Sequence, residues 1–227
     1  MACFHLFSYL PRFPLNRRLG YNPLMLKRMS GWTAFLILLF IGALTSTWGP
    51  TEQSLGSSVR SVYLHGAWVW TALIEYAAAA SVGMAALFLR RDLLHRWSTA
   101  LGRTATFFWI TYLPLSLMTM QMNWNGIYFE EPRWRLGVQF AIVGTLLQAA
   151  IWVIKRPAVG SAINILFAAL LGWALLHTQQ VMHPASPIMT SDSVRIRSFF
   201  AVLLIVFLHA GWFFTQGVHQ TMEESNE

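Results

Sequence analysis

The stretch YLPLSLMTMQMNWNGIYFEEPRWR, residues 112–135, joins two hydrophobic runs of the chain through a loop rich in methionine and aromatic residues. The loop ends on the acidic pair Glu130–Glu131 and Pro132, and the second hydrophobic run begins at Leu136. Further runs of the same kind occupy most of the remaining sequence. Their number, length and flanking charges therefore decide the fold class.

The composition points to lipid as the environment of most of the chain. The 227 residues are 56% hydrophobic and only 11% charged, whereas soluble domains carry roughly 25% charged residues. The single cysteine, Cys3, excludes a disulfide framework and a Cys-x-x-Cys-His haem attachment motif. No run of like charge indicates a nucleic-acid partner. The sequence predicts an all-α integral membrane protein.

Six apolar segments have lengths near the ~20 residues that cross a hydrocarbon core of ~30 Å. The short loops between them leave no room for a soluble domain. We predict six transmembrane helices, at about 31–48, 61–89, 104–122, 135–154, 159–178 and 196–216.

The distribution of lysine and arginine predicts the orientation. Eleven of these residues lie in the N-terminal arm, the 90–103 loop and the 155–158 turn, against five in the other loops. Because basic loops stay in the cytoplasm, both termini are expected there, in the inner (plasma) membrane. The loops at 49–60, 123–134 and 179–195 then face outward.

Two segments flank the predicted membrane domain of residues 31–216. Residues 1–30 contain basic residues among apolar ones and several prolines, which favours an interfacial arm lying on anionic headgroups. A disordered basic tail is the alternative for the first twenty residues. Residues 217–227 are expected to form a short, disordered cytoplasmic tail.

His65 and His183 are the first candidates for a binding site, since both fall on the predicted outer side. Neutral imidazole is the commonest protein ligand for metals and haem iron. Two histidines from different helices can supply both axial ligands of one haem. The alternative is that each histidine only hydrogen-bonds a backbone carbonyl or interfacial water. His177 competes with His183 for this role. On a helix the two would lie on different faces, and Pro184 ends any helix nearby, so only one of them is expected to point at a shared ligand.

The outward loop adds an aromatic cluster and two arginines. Trp124 and Tyr128, with Phe129 and Trp134, are candidates for a platform under a flat macrocycle. An ordinary interfacial aromatic belt is the alternative.

Arg133 and Arg135 are candidates for contacting haem propionates, because arginine pairs well with planar carboxylates. The alternative is a solvent-exposed ion-pair cluster with Glu130 and Glu131.

Residues inside the predicted spans are interpreted mainly as structural. Glu75 lies near the bilayer middle, where an ionisable group costs roughly 2.5–3.5 kcal/mol and is by default a functional candidate. It can instead be protonated and bonded to a polar residue of another helix: Gln139, Gln148 or Asn164. His209 is expected to be a packing or gating residue. Surface positions are expected for His5, His95 and His219, and core packing for Met118, Met120 and Met122.

Three motifs carry a resemblance to a known family: SVYLHGAWVW at 61–70, EEPRWRLG at 130–137 and LLHTQQVMHPASPI at 175–188. The chain resembles the cytochrome c assembly membrane proteins, and most of all the CcmC-type haem-handling subunit. The resemblance implies six spans, cytoplasmic termini, and haem held at the outer face by His65 and His183. His177 corresponds to the earlier family histidine. The family's tryptophan-rich motif falls on Tyr128–Leu136, where Pro132 and Arg133 match.

The resemblance also implies a function and partners. The expected function is non-enzymatic: binding haem b for presentation and transfer in cytochrome c maturation. An ABC-transporter-type assembly and a haem chaperone are the expected partners. The alternative is an accessory subunit of a respiratory or photosynthetic membrane complex. An electron-carrying haem b and quinone protein is a third interpretation, but His209 has no obvious partner for a second haem.

Overall fold

The computed structural model describes residues 30–179 and 188–224, and these fold into six α-helices. Their only extended pairing is an isolated bridge between Glu52 and Gly56. The all-α class is therefore confirmed for the described residues. The helices are α1 (Gly31–Ser46), α2 (Val59–Leu89), α3 (Asp92–Trp124), α4 (Pro132–Ile154), α5 (Pro157–His177) and α6 (Val194–Glu224).

Local sequence explains where several helices begin and end. The Ser30 side chain accepts a hydrogen bond from the Thr33 amide at 3.2 Å and caps the start of α1. Arg90 ends α2 and Lys155 ends α4, both in the left-handed conformation, with φ of 52° and 53°. Pro157 then starts α5 at a position where its missing N–H costs nothing.

Four helices, α2, α4, α5 and α6, are long and apolar enough to cross a membrane, whereas α1 is apolar but has only 16 residues. Large apolar side chains cover the outside of the bundle. Phe40, Phe88 and Trp152 are 69%, 85% and 67% exposed, which suits contact with lipid tails and not with water. The chain is a multi-pass membrane protein.

The centre of the bundle is the long contact between α2 and α3. Helices α5 and α6 pack on this pair, α1 packs mainly on α6, and α4 contacts α3 and α5. Aromatic side chains fill the core, including the fully buried Tyr63, Trp109 and Phe207. At one end, Gly31 of α1 lies so close to Gly217 of α6 that a Cβ on Gly31 would be 2.8 Å from the Gly217 nitrogen.

Two sequence-based boundaries are wrong. Residues 92–103 were expected in a loop, but they form the first three turns of α3. Arginines interrupt hydropathy there without interrupting the helix, because arginine is a good helix former. Residues 217–224 were expected to be disordered, but they extend α6. The expected N-terminal arm lies outside the described residues.

Candidate functional site

A cavity of about 680 Å³ lies where α3 ends and α4 begins, with walls from α2, α3, α4, α5 and α6. This volume falls within the ~300–1,000 Å³ typical of small-molecule and cofactor sites. Most of the lining is apolar, and it includes the aromatic rings of Trp70, Tyr76, Trp109 and Phe200. The cavity is therefore suited to a flat, largely hydrophobic molecule.

His65 is the one histidine of residues 30–179 and 188–224 that lines this cavity. It lies within the first two turns of α2 and is half-buried. Its ring centroid is 5.9 Å from that of Tyr112 on α3, which is another wall residue. The imidazole is thus positioned by the central helix pair and not by a loop.

The aromatic cluster expected in the 123–134 loop is divided by the structure. Trp124 and Trp134 line the cavity. Tyr128 is 42% exposed, and its hydroxyl lies 3.5 Å from the Trp124 carbonyl, at the limit of a hydrogen bond. Phe129 is 54% exposed and packs edge-on against Trp134. Only the two tryptophans are walls of the cavity.

The two candidate arginines also separate. Arg133 lines the cavity. Arg135 forms an exposed ion pair with Glu130 and donates from Nε to the Phe129 carbonyl at 3.3 Å. Of the two, only Arg133 lies where it can contact an anionic group inside the cavity.

Of the two candidate histidines near the end of α5, the structure describes only His177. His177 is exposed, its Nδ1 lies 2.8 Å from the Trp173 carbonyl, and its ring stacks on Trp173. It is not a wall residue of the cavity. His183 lies outside the described residues. The chain nevertheless borders the cavity on both sides of that segment, since Leu176 and Ile188 both line it.

Three polar atoms at the cavity have no hydrogen-bond partner within the described part of the chain: Asn123 Oδ1, Glu131 Oε1 and Trp134 Nε1. The Asn123 amide group is held by its nitrogen, which donates to Ser61 Oγ at 2.8 Å and to the Thr119 carbonyl at 2.9 Å. The cavity therefore has a polar end that offers both acceptors and a donor.

Sequence reasoning treated Glu130 and Glu131 as one acidic pair, but their surroundings differ sharply. The Glu130 side chain is 82% exposed, whereas Glu131 is 3% exposed. Glu131 is the N-cap of α4, and its Oε2 accepts from the Trp134 amide at 2.6 Å. Pro132 was the sequence signal that could have distinguished the two, because proline favours the first helical position and so makes the preceding residue, Glu131, the N-cap.

Glu75 is buried but does not have the partners expected for it. None of the hydrogen bonds of the described residues joins it to Gln139, Gln148 or Asn164. Gln148 donates to Asn164 instead, at 3.1 Å. Glu75 faces α6, where a Cβ on Gly211 would lie 2.6 Å from Glu75 Oε1. The prediction of those partners is wrong because the side chain lies on the α6 side of α2.

The other described histidines differ from expectation as well. His95 and His219 were expected at the surface, but both are buried. His95 Nδ1 lies 2.7 Å from Ser161 Oγ, and the His219 ring stacks on Trp97 at 4.3 Å. Helix packing continues to the ends of α3 and α6, which covers them. His209 was expected to be a packing or gating residue, but it is exposed on α6.

The three methionines of α3 differ in burial, and the described acidic residues form no metal cluster. Met120 is buried and lines the cavity, while Met118 and Met122 are 41% and 50% exposed, so core packing is confirmed for Met120 alone. Across residues 30–179 and 188–224, no group of three or more His, Cys, Asp or Glu side chains can hold a metal ion.

The site that emerges is one apolar cavity with a histidine on one wall and an arginine, two tryptophans and a buried glutamate at its polar end. No protein-family model matches the chain, and no curated protein sequence matches it.

Proposed function

We propose that this protein is a six-span inner-membrane protein that binds haem b at its outer face and presents it during cytochrome c maturation. The observation that carries the proposal is the cavity, where His65, Arg133 and two tryptophans meet in apolar walls. The sequence motifs that resemble the CcmC-type subunit support the cellular role.

In this proposal all six helices cross the membrane and both termini lie in the cytoplasm. The 16 residues of α1 span about 24 Å, close to the ~30 Å of a hydrocarbon core. Arg90 and Arg91 lie at the α2–α3 connection, and Lys155 and Arg156 at the α4–α5 connection. These connections are at the end of the bundle opposite the cavity, so the positive-inside rule supports an outward-facing cavity.

The residues at the cavity fit haem in three respects. Imidazole is a standard axial ligand, which suits His65. The guanidinium of Arg133 matches a propionate carboxylate. The apolar and aromatic walls suit the macrocycle, and the volume is in the range of cofactor sites. When bound, haem supplies the iron centre, and the chain's own residues hold and orient it.

We propose His183 as the second axial ligand. The positions of Leu176 and Ile188 on the cavity wall support this, because the chain between them begins and ends at the site. His177 is the weaker candidate, since it is exposed and is not among the residues that line the cavity.

The proposed role is to hold and hand over haem, without catalysis by this chain. A haem chaperone at the outer face and ABC-transporter-type assembly subunits in the membrane are the proposed partners. The exposed Tyr128 lies beside the cavity residue Trp124, and the exposed Phe129 lies beside the cavity residue Trp134. The two exposed rings offer a surface for the chaperone.

A haem assay with a visible spectrum on the detergent-purified full chain tests the proposal. Wild type is expected to hold about one haem per chain, with the spectrum of a six-coordinate b-type haem. His65→Ala and His183→Ala are expected to lose haem or shift to a five-coordinate spectrum. His177→Ala and His209→Ala are matched controls, because each removes an exposed histidine away from the cavity, and both are expected to retain wild-type haem.

The outcomes separate the alternatives. Equal haem content in wild type, His65→Ala and His183→Ala would show that the ligand assignment is wrong. A wild type that takes up no haem even after supplementation would exclude the proposed function, and an accessory subunit of a membrane complex would then be favoured. Loss of haem in His177→Ala but not in His183→Ala would show that His177, and not His183, is the second ligand.

A further inference from the structure

The polar end of the cavity contains a buried hydrogen-bond acceptor, Glu131 Oε1. Ionised haem propionates also only accept hydrogen bonds, so they would give this oxygen no donor. Glu131 is 3% exposed, and its Oε2 is already used to cap α4. Its Oε1 is buried without a hydrogen-bond partner in residues 30–179 and 188–224. A buried carboxylate oxygen without a donor carries a large desolvation penalty, so a ligand at this position is expected to bring a proton.

Donors for an anion lie at the same end of the cavity. Trp134 Nε1 is a buried indole N–H without a partner in the described chain, and Arg133 follows Glu131 by two residues and also lines the cavity. Indole and guanidinium groups both donate, and neither accepts. A ligand carboxyl group placed here meets these donors and the acceptor oxygen of Glu131 together.

Resting on the proposed function, we propose that haem binds to this cavity with the uptake of one proton, which Glu131 Oε1 and one haem propionate share. Before binding, the Glu131 side chain and the propionate are each a carboxylate. On binding, one proton is taken up from solvent, and the two groups then form a single carboxyl–carboxylate hydrogen bond. Two carboxylates in contact cannot both stay ionised at low cost. The affinity for haem is therefore expected to fall as the pH rises.

The other titratable groups at the cavity act differently. Tyr112 of α3 and Tyr76 of α2 also line the cavity, as phenols whose ordinary pKa is about 10. His65 of α2 binds iron only when its imidazole is neutral, so it weakens haem binding as the pH falls. The wall residues of α5 and α6 in the described chain are not titratable. With the iron kept ferrous, so that hydroxide does not compete for it, a loss of affinity at high pH points to Glu131.

Anaerobic titrations of ferrous haem into the detergent-purified full chain, followed by the visible spectrum from neutral to alkaline pH, test the proposal. The iron is kept reduced because ferric iron binds hydroxide in this range, which would also weaken histidine ligation as the pH rises. Uptake of one proton predicts that wild-type affinity falls about tenfold for each unit of rising pH. A pH-indicator dye in weak buffer is expected to report about one proton taken up per ferrous haem bound. This second readout does not depend on the spectrum of the complex.

Glu131→Gln and Glu130→Gln form a matched pair. Both remove one negative charge from adjacent positions of the same loop, but only residue 131 is buried at the cavity. Glutamine at 131 keeps an oxygen for capping α4 and adds an N–H that can donate to an ionised propionate. Glu131→Gln is expected to bind ferrous haem with little pH dependence at high pH, and Glu130→Gln is expected to match wild type.

The dimethyl ester of ferrous haem tests the same point without any substitution, which removes the risk that a variant fails to fold. The ester has no ionisable propionates but keeps the iron. Wild type is expected to bind it through His65 with no loss of affinity at high pH and no proton uptake.

Each outcome is decisive. A high-pH loss that persists unchanged in Glu131→Gln, or with the dimethyl ester, overturns the shared proton while leaving haem binding intact. Binding of ferrous haem to wild type that is independent of pH overturns it as well. Failure of wild type to bind ferrous haem at any pH overturns the proposed function, and this inference with it.

Discussion

The hydroxyl of Tyr112 on α3 lies against the α-carbon of Gly137 on α4, so that a methyl group at position 137 would overlap it. One turn earlier on α3, Trp109 donates its indole N–H to the Gly137 carbonyl at 3.1 Å. Both aromatic side chains line the cavity. The close approach of the two helices at Gly137 therefore sets the shape of one cavity wall.

Gly137→Ala is expected to destabilise the protein by about 1–3 kcal/mol, because the added Cβ must displace the Tyr112 ring in a well-packed region. The ring carbon Cζ of Tyr112 would lie 2.8 Å from the added Cβ. Thermal unfolding in detergent measures the effect. Tyr112→Phe in the same background is expected to recover part of the loss, since it removes the overlapping hydroxyl.

Gly172→Ala is the control for that experiment. Gly172 also lines the cavity and is helical, but a Cβ there would meet nothing within 4 Å. It is expected to leave stability unchanged or to raise it by up to about 1 kcal/mol, because alanine is the better helix former. Equal losses of stability in Gly137→Ala and Gly172→Ala would contradict the assigned contact.

Gly211→Ala is expected to destabilise the α2–α6 contact. The new Cβ would lie 2.6 Å from Glu75 Oε1, so the buried carboxyl must move. Glu75→Ala alone leaves a void, but combined with Gly211→Ala it removes the clash. The double variant is therefore expected to lose less stability than the sum of the two single variants, as residues in contact do. Additive losses would show that the two residues do not interact.

Asn164→Ala is expected to cost about 1–3 kcal/mol, since buried polar groups lose their partners. Asn164 is 2% exposed and donates to the Ser98 carbonyl at 2.8 Å, and it accepts from Gln148 at 3.1 Å. Thermal unfolding again measures the change. Ser81→Ala removes only an exposed hydroxyl bonded to the Ala77 carbonyl and is expected to be neutral. Unchanged unfolding of Asn164→Ala would exclude a stabilising network there.

The turn before α2 is expected to loosen in acid. Hydrogen bonds from the Ser54 hydroxyl and then the Leu55 amide hold the pKa of Glu52 below its ordinary value. A lowered pKa means that this contribution is complete at neutral pH and is lost as the pH falls through the folded-state pKa. Hydrogen-exchange protection of the Ser54 and Leu55 amides should therefore fall in acid.

Two comparisons control the exchange measurement. Glu52→Ala is expected to lack the protection at every pH. The Thr47 amide, which donates to the Leu44 carbonyl at 3.1 Å with no carboxylate involved, is expected to keep its protection factor in acid. Protection of Ser54 and Leu55 that survives in Glu52→Ala would contradict the role of the carboxylate.

Under the proposed function, Arg133→Ala is expected to lower haem affinity by about tenfold or more, the usual effect of losing a charge-assisted hydrogen bond. Arg135→Ala removes an equal charge two residues away from an exposed ion pair. It is expected to leave affinity unchanged. Haemin titration of both variants makes the comparison, and equal effects would indicate a general electrostatic contribution in place of a specific contact.

Hydropathy predicted the helices well, because burying backbone in lipid requires helices of a definite length. Five of the six predicted starts lie within three residues of the observed ones. The sixth, in α3, differs by twelve residues, at 92 instead of 104. Hydropathy marks where lipid begins, whereas a helix ends only where its backbone hydrogen bonds end.

Hydropathy and loop charge also placed His65 and the 123–134 loop at one end of the molecule, and the structure brings His65, Trp124 and Arg133 to one cavity. They did not separate Arg133 from Arg135, or Glu131 from Glu130. Those differences depend on whether each side chain of the short loop and of the first turn of α4 points towards the cavity or towards the surface. Neighbouring residues of like chemistry are equivalent in a linear pattern.

By itself, the amino-acid sequence determined that lipid surrounds most of the chain. It also determined the secondary structure and the approximate ends of the spans, since these follow from apolar length and backbone hydrogen bonding. Only the tertiary structure decided which polar side chains are buried. Glu75 faces Gly211, His95 meets Ser161, and Glu131 is enclosed at the cavity. Burial depends on how each helix is rotated against its neighbours, and that rotation is set by packing across several helices at once.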